Sequence, residues 1–503
     1  MSNNIIDGLI LDLKNYENLP SSALRNTLRD IRKNVVVNEY LSTLMIEPPM
    51  MIILKRLAMS DDKYMTLSCL CIITNLAFEK KCHVFAIIKM GWITFTVQLI
   101  HELSQGEYSE INVEIKKQAL WLLANIAAEE DHFICTKFEH ANIISCIERL
   151  FAFYNNPKQS ELCLLGYGIP LTLMVDISTL LMNLCELNGG TVFHHSVLPM
   201  IYDLLKSTHE QIVLKCLHTI ENILKYDDNA VIHMVTIGIA FEVVSNIENP
   251  NKKIVKLAIR ILGDMLNCND VLTDYFLHLD VVAKLKPFLS VNCCYQEDAC
   301  FAISQICNGT PEQLDTLFHE NIVFILLQLC EQGPTNIIPH ALFSLLSLVD
   351  SGSMGQKRQL LSHEKMISTL HQSICDRKLP NSLLASAVNA LYYLFMVDDH
   401  IIQTVEPRNV SRDVNFMLPT KLTRRTFEFF RMGGFNKLAA LQHHNSEEVT
   451  RQINLFLIEY APHLINDMFV IPASYRQTPK LFSFSDINFK FESRPQRFRK
   501  RCK

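Results

Sequence analysis

A chain of 503 residues is longer than one compact core usually spans, so it holds either several globular domains or one extended repeat array. Hydrophobic residues make up 49% and charged residues 20%, which excludes a chain disordered throughout, and the scarcity of glycine (15) and proline (18) fits helices joined by short turns. The formal net charge of -5 argues against a nucleic-acid-binding surface over the whole molecule, yet leaves room for a local acidic groove that prefers basic ligands.

The opening Met1-Ser2-Asn3-Asn4-Ile5-Ile6-Asp7 has no basic head followed by an apolar run, so no secretory leader is expected. Apolar stretches elsewhere are interrupted within about ten positions, short of the roughly 20 needed to span a bilayer, so no membrane association is expected. Sixteen cysteines lie among apolar neighbours without CxxC pairing, which reads as reduced core thiols in a cytosolic or nuclear protein. Residues 1–45 form an N-terminal segment in which Lys14, Arg25, Arg29, Arg32 and Lys33 are dispersed at helical spacing.

From 46 to 465 one pattern recurs: a helix of the form small-x-x-Leu-x-Asn-Ile/Leu, a polar or acidic end, then an amphipathic segment. Its row positions are Cys71 and Asn75, Trp121 and Asn125, Thr179 and Asn183, His218 and Asn222, Arg260 and Asp264, Phe301 and Gln305, Phe343 and Ser347, Asn389 and Tyr393. From Asn183 onward the polar anchor returns after 39, 42, 41, 42 and 46 residues, while the first two intervals are 50 and 58. The surplus falls near Ser104–Ile111 and Asn155–Tyr167, read as insertions between helices. A period near 42 is the armadillo/HEAT range, and each repeat is too small to bury its own apolar face. The expected fold is therefore all-α, a right-handed superhelical solenoid of about ten armadillo repeats. Residues 404–420 read as a loop before the last repeat. Residues 466–503 read as a flexible tail with a basic end, Arg494-Pro495-Gln496-Arg497-Phe498-Arg499-Lys500-Arg501-Cys502-Lys503.

Stacked helices turn equivalent positions into rows. If the row helices line the concave surface, they present a ladder of asparagine amides, whose donors and acceptor suit an extended peptide backbone. An aromatic ring one turn away stacks on the stem of a lysine or arginine, and a carboxylate at the helix end selects its charge. Trp121, Asn125 and Glu129 hold all three elements at four-residue spacing, with Glu130 and Asp131 beside them. On spacing alone, Trp121 is equally readable as a core residue.

The segment Gln118-Ala119-Leu120-Trp121-Leu122-Leu123-Ala124-Asn125-Ile126-Ala127 resembles the hallmark helix of importin-α (karyopherin-α), the nuclear import adaptor family. Ala258–Asp264 is similar to that family's sixth repeat, Asp298–Gly309 to its seventh and Gly433–Val449 to its tenth, so the resemblance runs in order over roughly 60–464. It implies a groove for Lys/Arg-rich nuclear localisation signals. By position, the major-site tryptophans fall on Cys71, Trp121 and Thr179, the asparagines on Asn75, Asn125 and Asn183, and the key acid on Glu129. In the minor site, Phe301 and Phe343 replace tryptophan, while Gln305 and Ser347 replace asparagine. Asn222 extends the asparagine ladder to a fourth position. Cys71 and Thr179 cannot stack on a lysine stem. At about 0.5–1 kcal/mol per exposed cation–π contact, two missing walls weaken a peptide about tenfold or more.

The resemblance also implies importin-β as a partner through the N-terminal segment, where Arg29-Asp30-Ile31-Arg32-Lys33-Asn34-Val35 is similar to the end of the family's basic region, though basic residues are sparse. In place of that region, the tail Arg497–Lys503 is a candidate for occupying the groove in cis. Catalysis has little support: GxGxxG, GxxxxGK[ST] and GxSxG are absent, so no enzymatic role and no cofactor are expected. His194-His195 and His443-His444 lack partners at metal-ligand spacing, and His218 reads as a tolerated polar residue of the row. The leading expectation is an import adaptor for basic signal peptides. The alternative is an armadillo scaffold that has lost cargo import and binds other proteins.

Overall fold

The computed structural model describes residues 3–105, 109–129, 131–155, 171–187, 189–290, 293–376, 378–398 and 423–465. The expected loop at 404–420, the tail at 466–503 and most of the insertion at Asn155–Tyr167 lie outside them. Every described element is a helix, and the fold class is an all-α solenoid. No single described helix is long and apolar enough to cross a membrane. The chain divides into two compact units, the first running to Leu257 and the second from Ala258 to Arg494.

Each unit is a stack of three-helix repeats, and the third helix of each repeat carries the polar row. In the first unit these are Lys63–Glu79 (α1), Glu110–Ala127 (α2), Leu171–Glu186 (α3) and Glu210–Leu224 (α4), and the boundary between units falls inside Lys252–Leu266 (α5). In the second they are Gln296–Ile306 (α6), Ile338–Ser351 (α7), Asn381–Met396 (α8) and Glu447–Tyr460 (α9). Within the first unit α1, α2, α3 and α4 pack side by side in that order, and within the second α6, α7, α8 and α9 do the same. They pack because their inner faces are apolar: Leu120, Leu122, Leu123 and Ile126 of α2, or Leu342, Leu345, Leu346 and Leu348 of α7, are fully buried. Each buried leucine contributes about 1.5–3 kcal/mol.

Two devices set the repeat geometry. The corner between first and second helices takes one residue with positive φ: Gly91 (72°), Asn142 (53°) and Gly238 (99°) in the first unit, Asp280 (55°), Asn321 (58°) and Gly433 (78°) in the second. Glycine, asparagine and aspartate tolerate this left-handed conformation best. The second device locks neighbours. Thr310 and Gln313 form a capping box at Pro311–His319, and Ser353 and Gln356 form one at Met354–Ser362. Each glutamine then reaches back one repeat. Gln313 Nε2 donates to the Asp270 carbonyl and to Asp274 Oδ1, both at 2.8 Å, and Gln356 Nε2 to the Pro311 carbonyl and Asp315 Oδ1, both at 2.7 Å. One side chain thus serves its own helix start and the neighbouring repeat.

Before the first full repeat, Asn3–Lys14 and Ser21–Asn34 form two further helices. The second buries Leu24, Leu28 and Ile31 and packs on α1. The described cysteines are free, but only some are core thiols. Cys69, Cys71, Cys135, Cys146, Cys185, Cys216, Cys300 and Cys307 are buried, whereas Cys82, Cys294 and Cys375 are exposed.

Candidate peptide-binding ladder

On α1, Asp62 starts the helix by accepting from Tyr64 N at 3.0 Å, and three turns later Asn75 is half-buried, its side chain making no hydrogen bond among the described residues. Cys71, one turn before it, is buried.

On α2 the expected rung is present but unevenly exposed. Trp121 is half-buried, so its ring reaches the surface. Asn125 is only 1% exposed, and its Nδ2 is buried without a hydrogen-bond partner among the described residues. Leaving a buried amide donor unpaired costs about 1–3 kcal/mol. Glu129 lies just past the helix end, its N–H donating to the Ile126 carbonyl at 3.3 Å, and is 9% exposed. The Asp131 carboxylate is engaged at the start of the next helix. It accepts from Phe133 N at 2.9 Å and caps His132–His140. Glu130 lies outside the described residues.

The next two rungs differ from each other. The half-buried Asn183 of α3 donates from Nδ2 to the Ala124 carbonyl of α2 at 2.8 Å, so its amide ties two repeats together. Thr179, in the aromatic position, is buried and donates to the Val175 carbonyl at 2.6 Å. Asn222 of α4 is half-buried, its side chain making no hydrogen bond among the described residues, and His218 Nδ1 meets Glu221 Oε2 at 3.3 Å. Asn75 and Asn222 therefore hold amides open to a ligand, Asn125 holds a covered one, and Asn183 a committed one.

Composition gave no sign of the charges one turn nearer the helix starts. Lys117 of α2 pairs with Glu114 at 3.0 Å. Burial pushes the Asp176 carboxyl of α3 up to about 6, against the pull of Lys117 and of Lys215 on α4 and with a push from Glu114. The row's shoulder is thus of mixed sign. The signal was readable: Lys117, Asp176 and Lys215 stand three or four residues before Trp121, Thr179 and His218, the spacing that shares a helix face.

In the second unit, Arg260 Nε meets Asp298 Oδ1 at 3.4 Å. Phe301 is half-buried and its ring lies against Gly263, where an added Cβ would come within 2.6 Å of it. Phe343 is 7% exposed, so it is a core residue more than a groove wall. Gln305 is half-buried and donates to Ser304 Oγ at 3.2 Å; Ser347 is fully buried. The described row is thus more open to ligands in the first unit than at Phe343 and Ser347.

Two cavities accompany these elements. One, of about 300 Å³, lies away from the row among Phe151, Leu171, Met174, Asp203 and Leu204. The other, of about 160 Å³, lies between α8 and α9. His195 meets Asp227 at 3.3 Å and stacks edge-on with His233 at 4.6 Å, but no group of three among the described residues could hold a metal ion.

No family model matches the sequence, and no curated protein matches it. Among solved structures, an engineered protein from the Northeast Structural Genomics Consortium is similar at 16% identity and a TM-score of 0.67, over 89% of this chain and 98% of that one. A designed armadillo repeat protein is similar at 17% identity and a TM-score of 0.43, over 52% of this chain and 99% of that one. A second designed armadillo repeat protein, solved in complex with the peptide (KR)4, gives 17% and 0.43 over 52% and 98%. The first of these likenesses establishes the fold over nearly the whole chain.

Proposed function

We propose that this protein is a peptide-binding adaptor similar to importin-α, which takes extended Lys/Arg-rich nuclear localisation signals on α1 to α4 and works between cytoplasm and nucleus. The observation that carries this reading is the α2 rung. A tryptophan ring reaches the surface one turn before an amide whose donor has no partner, and a carboxylate follows one turn later. Once the side chains covering Asn125 Nδ2 move aside, a peptide carbonyl meeting it would relieve the cost of that unpaired donor, while Trp121 and Glu129 receive the basic side chain.

This assignment makes a divided prediction. Asn125→Leu removes the orphan amide at similar volume, so the free protein melts at the same or a higher temperature. Its affinity for a classical basic signal peptide, read by fluorescence anisotropy, falls about tenfold, as for a lost charge-neutral hydrogen bond. Trp121→Ala lowers affinity as well. Wild-type protein that ignores the peptide, or affinity indifferent to both changes, overturns the reading.

One observation favours the second reading, a scaffold without import. The stretch similar to the end of the importin-β-binding region lies in Ser21–Asn34, which is packed on α1. Arg25 is held by Asp62 at 2.7 Å and lies 5.1 Å over the Tyr64 ring. A pull-down of importin-β with the full chain separates the two, since an adaptor requires that partner and a scaffold does not.

A further inference from the structure

The first helices of two consecutive repeats in the first unit, Lys81–Lys89 and His132–His140, bring a pair of rings to the surface on helices that do not carry the row. Phe85 is half-buried and Phe133 is 41% exposed. The two rings stack, with centroids 6.4 Å apart and planes 28° from parallel. Each also meets a lysine four residues away, the spacing that shares a helix face. Lys81 Nζ lies 5.8 Å from the Phe85 centroid and Lys137 Nζ 5.1 Å from that of Phe133. Both lysines are exposed, and neither ammonium forms an ion pair or a hydrogen bond among the described residues.

The described carboxylates nearby are engaged or off this face. Helix Lys81–Lys89 holds no acidic residue. Asp131 caps His132–His140, Glu79 meets His83 at 3.6 Å, and Glu39 is taken by Lys80. Glu139 stands two positions past Lys137, a spacing that does not share a face. The patch is therefore apolar and cationic at once, which selects its partner. A purely aliphatic surface would set two ammonium groups against hydrocarbon, at a cost in desolvation. A nucleic acid gains by matching many phosphates to many cations, and a bilayer by a cluster of about four or more basic residues. Here there are two, on a chain of net charge -5. A short peptide segment with a leucine or aromatic side chain between carboxylates matches the set: the apolar side chain covers the exposed part of Phe133, and the carboxylates take Lys81 and Lys137.

We infer that the Phe85–Phe133 patch docks an acidic peptide segment bearing an apolar side chain, a partner opposite in charge to the ligand proposed for the row. The inference does not rest on the adaptor reading.

The test uses the full-length chain and a fluorescein-labelled peptide in which Asp and Glu alternate with Leu and Phe, titrated by fluorescence anisotropy. The expected result is saturable binding. Lys81→Gln together with Lys137→Gln lowers affinity about tenfold, as for a lost charge-assisted hydrogen bond, while the melting temperature holds because both side chains are exposed. Replacing the peptide's acids by Asn and Gln lowers affinity equally, and the double variant no longer distinguishes the two peptides. Phe133→Ala weakens both peptides. Absence of binding to the wild type, or affinity indifferent to the two lysines and to Phe133, overturns the inference. Tighter binding of oligouridylate or of phosphatidylserine vesicles, lost with the same two lysines, overturns the peptide as partner in favour of a nucleic acid or a bilayer. Each of these results leaves the adaptor reading standing, since that is read with a basic peptide.

Discussion

Asp176 shows what a single carboxyl does among the row helices. Half-buried on α3, it has its carboxyl pushed up to about 6 by desolvation, whereas its ordinary value is 3.8. Between those values the folded chain binds more protons than the unfolded one, so stability falls as pH rises through that window. Above it, the folded state holds a poorly solvated charge that Lys117 and Lys215 only partly offset. Asp176→Asn should therefore raise the melting temperature at neutral pH and flatten its dependence between about 4 and about 6. Thermal melts across that range decide it, and an unchanged slope contradicts the assignment. The residue was not singled out in the sequence because a lone aspartate at helical spacing reads as a solvated face. The same shortfall governs the rungs. Periodicity places Asn125, Asn183 and Phe343 on a shared face, but not at a depth. Whether an amide ends in solvent, in the core or on the Ala124 carbonyl depends on the packing of the next helix, which no local pattern encodes.

At the scale of elements, the corners were more legible than the rungs. Gly91, Gly238 and Gly433 stand between apolar helical runs, where a left-handed residue closes a turn, and Asn142, Asp280 and Asn321 serve equivalent corners. Asn321 holds φ of 58° with a side chain that tolerates it. Asn321→Val forces a β-branched residue into that conformation, at about 1–2 kcal/mol by the left-handed penalty. Asn321→Gly removes the strain but frees the unfolded chain, so the two effects largely offset. Denaturant midpoints should fall for valine and hardly move for glycine; equal midpoints would show that the corner carries no strain. The signatures Thr310-Pro311-Glu312-Gln313 and Ser353-Met354-Gly355-Gln356 were also present as capping boxes. Their second task, bonding the preceding repeat, became visible only once the neighbouring helix was in place.

Over the whole molecule, length and period sufficed for the fold class, because a repeat that cannot bury its own face has to stack. They did not reveal how the last repeats are secured. Phe395, Phe429, Phe435, Phe456 and Tyr460 form one aromatic cluster, with ring centroids 5.1–6.2 Å apart in the pairs that touch. Phe429→Ala opens a void in it and should cost about 3–5 kcal/mol. In a solenoid such a loss stays near its origin, since each repeat depends chiefly on its neighbours. Calorimetry should show the second unit melting earlier while the transition of the first unit holds its temperature. The peptide binding proposed at Trp121 should also persist until the first unit melts. A single transition that shifts as one would contradict this.

The backward reach of Gln313 and Gln356 gives the array a direction in time. Each glutamine finds its acceptors in sequence that a ribosome has already released, at Asp270 and Asp274 or at Pro311 and Asp315. A nascent repeat thus meets a finished template on its upstream side and needs nothing still unsynthesised to make that bond, in keeping with folding that proceeds from the N-terminus during translation. Reversing the order of these repeats would leave every glutamine waiting for a partner not yet made.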